Sequence, residues 1–149
     1  MRPARTLLSL TLAAPLAACG EGPTIPADPC TDDTGTVTVT VTSAAGTPVF
    51  DWSPACAVAL VLVEKVGGDT WYVSTDDATW SDAAQANLIT PPITYGVAPA
   101  ETADEYGPDP LVTGVEHDFI LWRVQQGSTA DCLLTGFGLC LLANHRFTP

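Results

Sequence analysis

The chain has 149 residues, of which 5 are Lys or Arg and 17 are Asp or Glu, so its net charge is -12. That length holds one ordinary domain and hardly a second, and a composition of 46% hydrophobic residues with four Trp, 12 Gly and 13 Pro is that of a folded, turn-rich protein, which excludes disorder throughout. An acidic chain without a basic patch cannot neutralise phosphates, which argues against nucleic-acid binding and against electrostatic attachment to anionic lipid.

The first nineteen residues carry an address. Arg2 and Arg5 precede an apolar run from Leu7 to Ala18 that has the charge order of a secretory signal and is too short to span a bilayer comfortably. The run ends in Leu16-Ala17-Ala18-Cys19, which resembles the bacterial lipoprotein box at all four positions. The resemblance implies a diacylglyceryl group on the Cys19 thiol, cleavage before that residue and acylation, of the palmitate type, on the new amino terminus. Two or three acyl chains anchor stably where a single one is marginal. The expected location is the bacterial cell envelope, periplasmic or surface-exposed. Gly20 stands where aspartate would signal inner-membrane retention in the enteric pattern, so the outer membrane is favoured over the inner.

Removal of residues 1–18 takes two arginines and no acids, leaving Lys65, Arg123 and Arg146 against seventeen carboxylates, a charge of -14 (3 minus 17). The remaining chain, 149 minus 18 or 131 residues, is long enough to bury roughly two thirds of its unfolded surface around one core. Apart from Cys19 four cysteines remain: Cys30, Cys56, Cys132 and Cys140. An even count in an exported protein predicts two disulfides, with three pairings open. There is no CxxC spacing and there are only two histidines, so no zinc site is expected, and no motif calls for a cofactor.

Residues 19–35 read as the lipidated cysteine and a Pro-rich tether, with Pro23, Pro26 and Pro29 and no apolar period. Its stretch from Gly20 to Asp33 would reach about 40 Å in a polyproline conformation. The folded domain is expected over 36–149. Thr36 to Thr42 alternates strictly, with Val37, Val39 and Val41 on one face, the pattern of a half-buried strand. Ala44-Ala45-Gly46 turns the chain into a second strand, Pro48 to Trp52, which Ser53-Pro54 stops. Ala57 to Val66 is a continuous valine-rich run that predicts a strand, and Thr70 to Thr75 pairs with it as a hairpin across Gly67-Gly68-Asp69. Asp76 to Asn87 has no clean period and suits either a short helix or a meandering connection. Ile93-Thr94-Tyr95 follows Pro91-Pro92 as a short edge strand, Ala98 to Pro110 reads as an acidic loop, and Val115 to Gln125 and Leu139 to Thr148 are the late strands. About seven short antiparallel strands with frequent turns predict an all-β sandwich.

The segment Leu111-Val112-Thr113-Gly114-Val115-Glu116-His117-Asp118-Phe119-Ile120-Leu121 resembles the fibronectin type III stretch that runs leucine, any, proline, glycine, threonine, any, tyrosine and then alternating apolar residues. Leu111, Gly114, Phe119 and Leu121 match it. Phe50-Asp51-Trp52-Ser53-Pro54 similarly resembles the second strand of that fold, whose Trp is a core residue. The likeness covers roughly residues 36 to 149 and implies an immunoglobulin-like, fibronectin type III-like sandwich. Two departures matter: Thr113 replaces the proline, and His117 occupies the corner tyrosine's position, so an imidazole nitrogen would have to imitate the hydroxyl-to-backbone bond. Another Greek-key sandwich with the same strand rhythm is the alternative. The type III topology implies Cys30, Cys56 and the segment 132–140 at one end of the domain; of the three pairings the local pair Cys132–Cys140, which leaves Cys30–Cys56, is preferred.

Signals for chemistry are thin. There is no Gly-x-Ser-x-Gly, no His-Glu-x-x-His and no phosphate-cradling glycine loop. His117 is expected to be structural and His145 lies near the terminus, so the chain is not expected to be an enzyme. Asp32-Asp33, Asp76-Asp77 and Asp82 are oxygen donors without the spacing of a calcium loop. Alternation from Phe119 and Leu121 sends Ile120, Trp122 and Val124 to the opposite face, where Trp71 and Tyr72 of the neighbouring hairpin extend a candidate binding face. The competing expectation is that the segment around Trp80 folds over that face. The function expected is a binding module for a protein or glycan, attached to the membrane through its lipid anchor. A structural spacer or accessory subunit of an envelope complex is the alternative, and a small extracytoplasmic enzyme the third.

Overall fold

The computed structural model describes residue 30, residues 37–125 and residues 138–149. Among the described residues eight strands in two antiparallel sheets form an all-β sandwich, where the sequence rhythm predicts about seven. In chain order they are β1 (Thr38–Ala44), β2 (Thr47–Ser53), β3 (Leu60–Lys65), β4 (Gly68–Ser74), β5 (Ile93–Thr94), β6 (Asp104–Tyr106), β7 (His117–Val124) and β8 (Leu139–Phe147). One sheet has the order β1-β2-β5, the other β6-β4-β3-β7-β8.

The expected strand positions hold, and local chemistry explains their ends. Val37 and Val39 face the core while Thr38 and Thr40 are exposed. Ala44 pairs with Thr47, which leaves Ala45-Gly46 as a two-residue turn with φ of 53° and 86°, the primed geometry that suits the strands' twist. Pro54 offers no backbone N–H, and β2 stops at Ser53. β5 lies beside β2 at the sheet edge, where the preceding prolines are tolerated.

One feature departs from the expected layout, and one open choice is decided. The acidic stretch 98–110 contains β6, which pairs with β4 through Tyr72–Tyr106, Val73–Glu105 and Ser74–Asp104. Charged residues on a three-residue edge strand protect it from pairing with other chains, and the same charges hide it from a hydrophobic pattern. The chain leaves β6 through Gly107 at φ +87°, where a Cβ would strike the Thr70 carbonyl oxygen. The undecided segment 76–87 forms a 3₁₀ turn at Asp77–Thr79 and one short helix, α1, at Ala83–Ala86.

The inter-sheet core is aromatic. Phe50 of β2 stacks on Phe119 of β7, with centroids 4.2 Å apart and planes at 9°, and Phe147 of β8 meets Phe50 edge-on at 5.2 Å. Trp52 is buried beside them and donates its indole N–H to the Cys56 carbonyl at 2.8 Å. Cys56 is disulfide-bonded to Cys30, with Cα atoms 6.1 Å apart. Truncating a ring such as Phe50 in a core this closely packed costs about 3–5 kcal/mol.

Candidate functional site

Alternation along the five-stranded sheet decides which side chains leave the core. Val61 and Val63 of β3, Trp71 and Val73 of β4, and Phe119 and Leu121 of β7 point between the sheets and are fully buried. Their neighbours point outward and line up across strands. Tyr106, Tyr72, Leu62, Ile120 and Asn144 form one row, and Asp104, Ser74, Leu60, Trp122 and Leu141 the next. Tyr72 and Tyr106 stack at 5.9 Å with planes at 12°. Tyr106 and Leu141, at the two ends of these rows, are 48% and 41% exposed, while Leu60, Leu62, Tyr72 and Trp122 are half-buried.

Three of the residues expected on this face need correction. Trp71 is fully buried in the inter-sheet core, edge-on to Tyr95 at 5.3 Å, because the period of two on β4 turns Tyr72 outward and Trp71 inward. Val124, on the outer side as alternation requires, is only 3% exposed, and Ile120 only 7%. Val124 belongs to a second apolar cluster with Ala59, Ala86 and Leu139, against which Trp80, Ala83 and Trp122 pack. The segment around Trp80 therefore covers one end of the face, up to Trp122, and the rows from Tyr106 to Leu141 lie beside it.

That cover is built from the acidic residues considered as calcium donors. Asp76 accepts the Ala78 N–H at 3.0 Å and caps the 3₁₀ turn; Asp82 accepts the Ala84 N–H at 2.9 Å and caps α1. The Thr75 hydroxyl donates to the Ala86 carbonyl at 2.7 Å, and Trp80 donates its indole N–H to the Thr75 oxygen at 3.2 Å. Among the described residues no group of three or more His, Cys, Asp or Glu could hold a metal ion. Asp32-Asp33 lies outside the described residues.

Carboxylates border the outer face. The row beyond Tyr106–Asn144 is Glu64, Asp118 and Arg146. Arg146 Nε donates to Asp118 at 3.1 Å and its Nη1 lies 3.2 Å from Glu116, so the cation in this row is already taken up by two acids. The hydrogen bond to Asp118 also makes the guanidinium harder to deprotonate. Asp104 stands at the β6 end, and Asp76, Asp77 and Asp82 are on the covering segment.

Leu60, Leu62, Tyr106 and Leu141 complete the face and were not singled out from the sequence. The unbroken apolar run from Ala57 to Val63 is the signal that both sides of β3 are apolar over most of its length.

The remaining candidates sit elsewhere. His117 is 1% exposed, donates Nδ1–H to the Val115 carbonyl at 2.9 Å, and packs on Phe147; the imidazole makes the backbone bond expected of it. His145 lies on β8 and lines an open groove of about 600 Å³ between the two edge strands β1 and β8, with Val39, Val41, Ser43, Pro48 and Phe147. No Asp or Glu is among the residues lining that groove. Cys140 is disulfide-bonded, while Cys132, Cys19 and the segment 126–137 lie outside the described residues. No helix among the described residues is long and apolar enough to cross a membrane. Comparison with family models, with curated proteins and with solved structures returns no match to this chain.

Proposed function

We propose that this chain is a bacterial envelope lipoprotein, held by acyl chains on Cys19, whose fibronectin type III-like sandwich is a binding module for a protein or glycan. The anchor rests on Leu16-Ala17-Ala18-Cys19 behind a basic start and an apolar run. The module rests on one observation: the five-stranded sheet carries large apolar side chains on its outer side as well as in the core. Its outer rows carry Tyr106, Tyr72, Leu62, Leu60, Trp122 and Leu141 facing away from the partner sheet. Contiguous apolar surface of this kind, rimmed by polar groups, marks interaction sites, and Tyr and Trp are their usual anchors.

The test has two arms. The native chain should sediment with membranes and incorporate fatty acid, while Cys19→Ser should do neither; sedimentation of the variant would remove the anchor. Leu141→Arg, at a half-exposed position, should keep the melting temperature and lose whatever the native chain binds. Retention of every bound partner by a folded Leu141→Arg chain would remove the outer face as the site.

A further inference from the structure

We propose that the occupant of the outer face is a basic protein surface, one or two aliphatic or aromatic anchor side chains ringed by Lys and Arg. The inference rests on the binding reading of this face and adds the chemistry of its partner. The two rows offer Tyr106, Tyr72, Leu62, Leu60, Trp122 and Leu141, apolar bodies with two hydroxyl tips and one indole tip, beside Ser74 and Asn144. Carboxylates stand around it: Glu64, Asp118 and Glu116 beyond the Tyr106–Asn144 row, Asp104 at the β6 end of the other row, and Asp76 and Asp77 on the covering segment. Arg146, the cation of that border, is engaged by Asp118 and Glu116 and leaves the rim negative. The whole chain carries the same sign, 17 acids against 5 bases.

Charge sorts the possible occupants. A second copy would set one carboxylate rim on another, and an anionic headgroup layer would meet the same repulsion. A neutral glycan could stack on the tyrosines but would leave the rim without a partner. A ring of Lys and Arg gains from the net negative charge of the rim, speeds encounter, and leaves apolar anchors to fill the middle.

The experiment uses the full-length chain in envelopes of the expressing cell, with the photo-crosslinker p-benzoylphenylalanine in place of Tyr106 and, as control, in place of exposed Thr40 on the other sheet. The Tyr106 probe should join a polypeptide whose crosslinked stretch has Lys or Arg close by. Its yield should fall at least several-fold between about 0.05 and about 0.5 M salt. It should also fall in Asp104→Lys, whose melting temperature is measured to confirm folding, and Glu64→Lys provides a second variant of the same kind. A salt-insensitive crosslink to a glycan, to a second copy or to a stretch lacking basic residues overturns the inference and leaves the binding reading standing. No crosslink above the Thr40 control overturns both.

Discussion

The side-chain amide of Asn87 is hydrogen-bonded twice to the backbone of Val124, accepting its N–H at 2.9 Å and donating to its carbonyl at 2.8 Å. Trp122, two residues earlier on β7, turns its backbone toward β3 and accepts from Ala59 at 3.0 Å. Val124 turns the same way, but β3 begins only at Leu60 and offers no residue to pair with it. Asn87 thus supplies, from a side chain, the ladder rung that the strand lacks, and both groups are buried. Asn87→Ala should lower stability by about 2–4 kcal/mol, since two buried backbone groups lose their partners. Asn87→Asp should be at least as damaging, because a carboxylate cannot donate to the Val124 carbonyl. Denaturant melts of both variants check this, and a loss under about 0.5 kcal/mol for Asn87→Ala would contradict it.

Thr75 ties the covering segment to the sheet through its hydroxyl, which serves Ala86 and Trp80 at once. Thr75→Val keeps the shape and removes both bonds, with an expected cost of about 1–3 kcal/mol. The loss should be local: acrylamide should quench Trp80 and Trp122 more readily in the variant than in the native chain. Unchanged quenching would show that apolar packing alone holds the cover.

The disulfide between Cys30 and Cys56 closes a loop with a sequence separation of 26. Loop entropy gives it about 3.5 kcal/mol as a model-dependent ceiling. Replacing both cysteines by alanine should lower the melting temperature and disturb Trp52, whose indole bonds the Cys56 carbonyl. With Cys140 also bonded, alkylation of the native protein without reduction should add no mass at Cys30, Cys56 or Cys140. Reduced stability in only one of the two readouts would separate the chain constraint from the packing of Trp52.

Tyr95 sits just after β5, donates its hydroxyl to the Asp109 carbonyl at 2.5 Å and packs its ring on Trp71. Burial pushes its hydroxyl above the ordinary value of 10.0, with the Asp109 charge adding in the same direction. A raised value in the folded state means a contribution that is present below about pH 10 and is lost as pH climbs through the folded-state value. Alkaline titration should therefore destabilise the native chain more than Tyr95→Phe, which has no hydroxyl to ionise. Parallel loss in the two chains up to pH 11 would refute this.

His117→Phe should fall within about 1 kcal/mol of the native chain. The ring contact with Phe147 survives, and the lost bond to Val115 is offset by removal of the buried Nε2, which has no hydrogen-bond partner. His117→Ala opens a cavity and should cost about 2–4 kcal/mol. Thermal melts of the two variants side by side decide it, and a Phe variant as damaged as Ala would give the imidazole a role that packing does not.

Much of the sandwich is legible in the sequence because a strand's period of two acts within a few residues. The Val37–Val41 alternation, the Ala45-Gly46 turn, the stop at Pro54, the edge strand after Pro91-Pro92, and Phe119 and Leu121 as core residues all follow from neighbours in the chain. The outer face is half-legible for the same reason: alternation places Tyr72, Ile120 and Trp122 on one side of their strands. What lies over that side depends on residues far away in sequence. Asn87 bonds Val124 across about 40 positions, and Trp80 and Ala83 pack on the cluster that holds Val124; no local pattern announces those contacts. β6 escaped because its exposed Asp104 and Glu105 have the composition of a loop, and only its hydrogen bonds to β4 make it a strand. Trp71 went to the core and Tyr72 to the surface once β4 had chosen its register between β3 and β6, since a shift of one residue would exchange the two rings. Alternation is a property of the chain; the choice of which alternate face is buried belongs to the packed sheets.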